Sequence, residues 1–211
     1  MDRLCLILTG GSGAPEGALP PADLVIAADS GADVAAALGL RVDVVIGDFD
    51  SADPRAVAGA VESGATLESH PVDKDATDLD LALHGAAERA ATRTIVLGGG
   101  GNDRLDHVLA NAGVIAADRH AAIGPEWWVG PARAKPVRGK HLISGRPGDL
   151  VSIVPVSGTC SVTTGGLRWA LEGEPLPLGS TRAVSNEMTG DTAEIEVLDG
   201  VAFVIHVGGG R

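Results

Sequence analysis

The stretch LVIAADSGADVAAALGLRVDVVIGDFDS, residues 24–51, decides how this chain folds. It opens on an apolar run, 24–27, that stops at Ala28-Asp29-Ser30-Gly31. An Ala-rich segment, 32–38, follows and closes at Gly39; a second apolar run, 42–46, stops at Gly47-Asp48-Phe49-Asp50-Ser51. Short continuous apolar runs bounded by turn residues read as buried strands, and the segment between them as a crossover helix. Strand, helix, strand is the repeating unit of a parallel sheet with helices on its faces. Both strands run into aspartates.

The same rhythm extends outward. Residues 4–8 form an apolar strand ahead of the glycine-rich turn 10–13, and Asp53-Pro54 opens a helix toward Val61, with Pro54 suited to the first turn. Residues 65–67 read as a short strand. Leu79, Ala82, Leu83, Ala86, Ala87 and Ala90 keep the helical period over 77–91. Asp75 or Thr77 can cap that helix, and Asp78 suits its positive end. Residues 93–97 form a strand, 98–103 a loop, and 106–117 an Ala-rich helix. We expect a doubly wound, mostly parallel α/β sheet over residues 1–130. From there the pattern changes. Residues 130–136 have linker composition, and short β segments follow at 140–143, 150–156, 159–164, 193–198 and 201–207. Pro147-Gly148, Ser157-Gly158, Gly165-Gly166 and Asp199-Gly200 separate them. A small all-β sandwich over 131–211 is the expectation.

Composition narrows the function. A net charge of -12 without a basic patch argues against a nucleic-acid binder and favours a cationic substrate. With aromatics at 2% and no Tyr, the core has to be aliphatic. Cys5 and Cys160 follow no metal spacing, and two distant cysteines suit a reducing, cytoplasmic setting. No signal-peptide pattern and no run of roughly 20 apolar residues is present, so no membrane partner is expected.

Four aspartate-bearing turns carry the chemistry: those at Asp29, at Asp48 and Asp50, at Asp73-Lys74-Asp75-Ala76-Thr77-Asp78, and at Arg104-Leu105-Asp106-His107. Loops at the carboxyl ends of parallel strands converge on one crevice. Carboxylates gathered there repel one another unless a cation lies between them. Hard oxygen ligands suit Mg²⁺, which bridges carboxylates to substrate phosphates. Asp48 and Asp50 share a face if strand geometry runs through them; the alternative is a polar turn capping the helix at Pro54. Lys74 suits a phosphate as a point charge, and Arg104 as a fork beside the free N–H groups of the glycine loop. Asp80 reads as a solvated helix position, and His107 as a structural residue rather than a base. Neither the P-loop nor the dinucleotide signature occurs. Trp169 suits stacking on a cationic ring, or a place in the core.

Taken in order, Ala28-Asp29-Ser30-Gly31, Gly47-Asp48-Phe49-Asp50-Ser51, Asp73 to Asp78, Arg104-Leu105-Asp106-His107, Gly166-Leu167-Arg168-Trp169 and Ser185-Asn186 resemble the thiamine pyrophosphokinase (thiamine diphosphokinase) family. The resemblance implies transfer of diphosphate from Mg-ATP to the hydroxyl of thiamine, giving thiamine diphosphate and AMP. It implies Mg²⁺ held by Asp48, Asp50 and Asp78. It places Asp29, Ser51, Lys74, Asp75, Thr77 and Arg104 at the nucleotide, and Asp106 near the reacting hydroxyl. Trp169, Ser185 and Asn186 form the thiamine end, in a homodimer with sites at the subunit interface. Ser30, where a Gly is common, and Asp103, an extra acid before Arg104, depart from the pattern. Other readings are a diphosphokinase for another hydroxymethyl heterocycle such as a pterin, a non-catalytic thiamine or nucleotide sensor, and a metal-dependent phosphohydrolase.

Overall fold

A computed structural model describes residues 2–11, 13, 16–101 and 104–208. The chain divides into two compact units, one ending at Gly130 and the other starting at Pro131.

The first unit is a six-stranded parallel sheet. Its strands are β1 (Leu4–Thr9), β2 (Leu24–Ala28), β3 (Val44–Gly47), β4 (Thr66–Ser69), β5 (Arg93–Leu97) and β6 (Pro125–Val129). They lie in the order β6-β5-β1-β2-β3-β4, with every pairing parallel. Four helices connect them: α1 (Gly31–Ala37), α2 (Pro54–Glu62), α3 (Asp78–Glu88) and α4 (Leu105–Ala116). Side chains alternate across a strand, so each strand feeds two cores. Leu6, Leu8, Val25, Ala27, Val45, Ile95 and Leu97 share the face that takes Ala32 and Ala35 of α1. Ile26 and Ile46 point the other way, toward α3. A Cβ added at Gly85 of α3 would lie 3.0 Å from Ile46 Cδ1, so this glycine lets the helix backbone close on the sheet. Helices on both faces explain why β1, β2, β3 and β5 are near-continuous aliphatic runs.

Local signals fix the helix starts. Asp53 caps α2, accepting from the Arg55 N–H at 2.8 Å, with Pro54 next in the first turn. Thr77, not Asp75, caps α3, accepting from the Asp80 N–H at 3.3 Å. Asp80 is not a solvated position. Its carboxylate takes Arg119 through both oxygens, at 3.0 and 2.9 Å from Nη2, and the buried His120 ring at 2.8 Å. This triad ties the 3₁₀ turn Asp118–Ile123 to α3.

The second unit is antiparallel throughout. Its strands are β7 (Ala132–Ser144), β8 (Leu150–Pro155), β9 (Thr159–Gly165), β10 (Glu174–Pro177), β11 (Asn186–Glu187) and β12 (Thr192–Val207). Two sequence expectations need correction. Of the linker-like 130–136, Ala132 to Pro136 are strand: Pro136 lies inside β7, opposite Phe203. Residues 193–198 and 201–207 are one bulged strand rather than two segments split by a turn. The irregularity between Val197 and Ala202 carries Gly200 at φ 74°, which bends β12. Its first half pairs with β9 and its second half with β8, while β7 follows it along both. One bent strand thereby serves two sheet halves around an aliphatic core of Val151, Ile153, Val162, Leu176, Ile195 and Val204. Among the described residues no helix is long and apolar enough to cross a membrane.

Candidate active site

In the first unit the strand order reverses between β1 and β5, which are neighbours in the sheet but far apart in sequence. Crevices open outside the carboxyl ends of strands at such switch points. A cavity of about 310 Å³ lies there. Thr9, Gly10 and Gly11 line it after β1, Asp29 and Ser30 after β2, and Ser51 after β3. Thr77 and Asp78 enter from the head of α3; Gly99, Gly101 and Arg104 follow β5; His107, Val108 and Asn111 belong to α4. Gly10 is needed at the floor, because a Cβ there would lie 1.9 Å from Ser30 Oγ.

Asp29, Asp48 and Asp50 each bring a carboxylate oxygen to within 4.8 Å of the others. Asp29 is 8% exposed and sits in the left-handed region at φ 48°. Its N–H donates to the Ile46 carbonyl at 2.8 Å, which fixes the turn. Its Oδ2 accepts from the Ser51 hydroxyl, while Oδ1 is buried with no partner among the described residues. A buried carboxylate oxygen without a partner is costly, and a cation in the cluster removes the cost. An all-oxygen donor set of this kind fits a hard divalent ion.

Asp48 and Asp50 are not brought together by strand pleat, as the two-residue spacing suggested. β3 ends at Gly47, and Phe49 turns back at φ 62°. The Asp50 N–H then donates to Asp48 Oδ1 at 3.3 Å. Gly47 itself sits at φ 151°, with the place of a Cβ only 3.2 Å from Asp78 Oδ1 and 3.3 Å from Asp29 Cβ. Asp78 is therefore beside the cluster, and Asp29 is a full member of it.

Lys74 joins the two. Its Nζ lies 2.5 Å from Asp48 Oδ2 and 3.1 Å from Asp78 Oδ1. The first is a hydrogen bond; the second is an ion-pair contact, and Asp78 Oδ1 has no hydrogen-bonded partner among the described residues. The Lys74 bond holds the Asp48 carboxyl below the usual carboxylate range. Burial pushes the Asp78 carboxyl up, against the pull of Lys74. Burial also disfavours the Lys74 ammonium, but its two carboxylate partners outweigh this and raise its pKa.

The first two glycines after β5, Gly98 and Gly99, are braced. The buried Trp127 indole donates to the Gly98 carbonyl at 2.7 Å, and the Asn111 amide donates to the Gly99 carbonyl at 3.1 Å. Sequence reading missed both residues. Asn111 was legible only as a polar residue on the inner face of an apolar helix. Arg104 is forked onto Asp106, with Nε at 3.0 Å from Oδ1 and Nη2 at 2.8 Å from Oδ2. That pairing drives the Asp106 carboxyl down to about 2. Asp106 thus holds Arg104 and is a poor proton acceptor in this arrangement.

Asp75 is exposed and does not line the cavity. Asp103 and its neighbour Asn102 lie outside the described residues. In the second unit Asn186 is 3% exposed and its amide is in use: Oδ1 accepts from the Trp169 N–H at 3.1 Å, and Nδ2 donates to the Trp169 carbonyl at 2.7 Å. It positions Trp169 rather than presenting itself to a ligand. Ser185 is exposed at φ 58°, its N–H held by Ser152 Oγ at 2.9 Å. The Trp169 ring is 46% exposed, with the Arg168 guanidinium 4.8 Å from its centroid. A cation thus already stands over an indole suited to cations.

Comparison with known proteins gives two family matches. Residues 17–123 match "Thiamin pyrophosphokinase, catalytic domain", and residues 140–202 match "Thiamin pyrophosphokinase, vitamin B1 binding domain". Among solved structures, a thiamine pyrophosphokinase from Bacillus subtilis is similar with a TM-score of 0.86 at 23% identity, over 98% of this chain and 100% of that one. A thiamin pyrophosphokinase family protein from Enterococcus faecalis gives 0.85 at 22% identity, over 99% and 100%. Yeast thiamin pyrophosphokinase gives 0.75 at 14%, over 97% and 86%.

Proposed function

Because the chain belongs to the thiamin pyrophosphokinase family, we propose that its thiamine diphosphokinase activity uses ATP and a divalent cation, Mg²⁺, at the cavity between β1 and β5. The carrying observation is the cluster of Asp29, Asp48 and Asp50, of which Asp29 lines that cavity, with a buried Asp29 oxygen that has no partner among the described residues. When bound, the ion offsets negative charge on the transferred phosphates.

The chain's own groups do the rest. The cluster carboxylates, with Asp78 beside them, would hold the ion. Backbone N–H groups of the braced loop, Lys74, Thr77, Ser51 and the Arg104 fork meet the nucleotide phosphates. The thiamine hydroxyl oxygen bonds to the β-phosphorus as the bond from that phosphorus to the oxygen bridging to the α-phosphorus breaks; AMP departs with the bridging oxygen, and the hydroxyl proton passes to solvent. Positioning and charge stabilisation supply the rate. Asp106 orients Arg104 instead of taking that proton. Trp169 offers its indole face to the cationic thiamine, exchanging Arg168 for the substrate, with Ser185 nearby and Asn186 bracing the backbone. We extend the reading to a homodimer in which Trp169 of one copy serves the phosphate site of the other, working in the cytoplasm; two buried, unpaired cysteines support a reducing setting. A sensor without turnover would not need the full acid set.

The test is to incubate the protein with Mg-ATP and thiamine and to identify products by mass. Thiamine diphosphate and AMP in equal amounts are expected, and Asp50→Asn, folded by circular dichroism, should lose at least about 100-fold in rate through the lost charge stabilisation. AMP release without thiamine, or an unchanged Asp50→Asn rate, would reject the reading.

A further inference from the structure

We propose that Lys74 is the resident counter-cation of the aspartate cluster, and that its ammonium leaves Asp48 when a divalent cation binds, which frees it to meet a phosphate. This rests on the reading of Asp29, Asp48 and Asp50 as a cation seat.

The occupancy of Asp48 carries the inference. Its Oδ1 accepts from the Asp50 N–H at 3.3 Å and its Oδ2 from Lys74 Nζ at 2.5 Å. Asp48 belongs to the triad of acids and is also the partner of Lys74. An ion that takes Asp48 as a ligand sits on an oxygen that already accepts from one of these two donors. The Asp50 N–H is backbone in a turn set by Phe49, whereas Lys74 is the end of a flexible four-carbon stem. The ammonium is the donor able to go. Leaving it in place would also put a single positive charge beside a double one, on the same carboxylate, in a pocket where the Lys74 side chain is only 13% exposed. Lys74 sits in the turn just ahead of α3, whose head lines the cavity with Thr77 and Asp78, so the freed side chain remains next to the nucleotide end of the site. Without an ion, four acids (Asp29, Asp48, Asp50 and Asp78) gather with one ammonium among the described residues, and that ammonium bridges Asp48 and Asp78.

The test measures metal binding to the full chain without nucleotide. Mn²⁺ is titrated into wild type and Lys74→Gln, with free ion followed by electron paramagnetic resonance. Removing the competing charge should tighten Mn²⁺ binding by about tenfold or more, a modest part of what one charge exerts at such range. In wild type, titration with Mg²⁺ should shift or abolish a slowly exchanging ¹⁵N ammonium signal of Lys74, a measurement that needs no variant. If wild type binds Mn²⁺, and Lys74→Gln binds it no tighter while the Mg²⁺-saturated ammonium signal is unmoved, the exchange is overturned and the cation seat stands. If neither protein binds Mn²⁺, the seat itself falls and the inference with it.

Discussion

Gly47→Ala is the sharpest probe of how the site is assembled. At φ 151° this residue occupies backbone space that L-residues rarely enter, which costs about 1–3 kcal/mol. The added methyl would lie 3.2 Å from Asp78 Oδ1 and 3.3 Å from both Cα and Cβ of Asp29. Asp29 cannot retreat easily: its N–H is bonded to Ile46 at 2.8 Å and its carbonyl accepts from Ala32 at 3.1 Å. The strain alone should lower the melting temperature by about 2–12 °C for a chain of this size. The contact should push Asp78 and Asp29 apart, and misplacement by a fraction of an ångström to 1 Å at a reacting centre costs up to about 100-fold in rate. Thermal unfolding by circular dichroism, Mn²⁺ binding and AMP release would be followed together. Gly59→Ala, in α2 with open space around it, is the matched control and should be neutral or slightly stabilising. Wild-type turnover and Mn²⁺ affinity in Gly47→Ala would refute the claim that close approach at this glycine sets the carboxylates.

Two further outcomes are expected. Asp80→Ala should cost about 1–3 kcal/mol by leaving buried His120 without its partner. Burial pushes the Asp80 carboxyl up, but bonds from His120 and Arg119 outweigh this and hold it below the ordinary carboxylate value. Its contribution is then complete above the unfolded pKa and is lost as pH falls through the folded one, so the stability gap between wild type and variant, followed by urea melts, should close toward acid. Asp106→Asn should leave the acid limb of the kcat profile where it is, because Arg104 holds that carboxyl near 2, while the KM for ATP rises as Arg104 loses its brace; a shifted limb would restore Asp106 as the base.

The parallel half of the molecule was legible because its signals are local. Residues 24–51 alternate apolar runs with turn residues, and burial on both sheet faces demands such runs. The acids after β2 and β3 and at the head of α3 were equally plain, since a polar residue that stops a buried strand has little else to do. The β half was harder. Residues 130–136 look like a linker, yet 132–136 are strand because β12 offers them a partner from 75 positions away, Ala132 facing Val207. Strand propensity depends on such neighbours more than on the residues themselves.

Sequence alone determined the doubly wound sheet, the acidic turns and the family, because apolar period and residue chemistry are written along the chain. Tertiary structure alone decided which acids meet. Asp29 and Asp48 become neighbours through the parallel register of β2 and β3. Lys74 stands on Asp48 instead of in solvent, and Asn186 serves Trp169. Each of these is a contact between residues whose distance is set by the fold, and electrostatic and hydrogen-bond energies depend on distance and burial that no single residue type encodes.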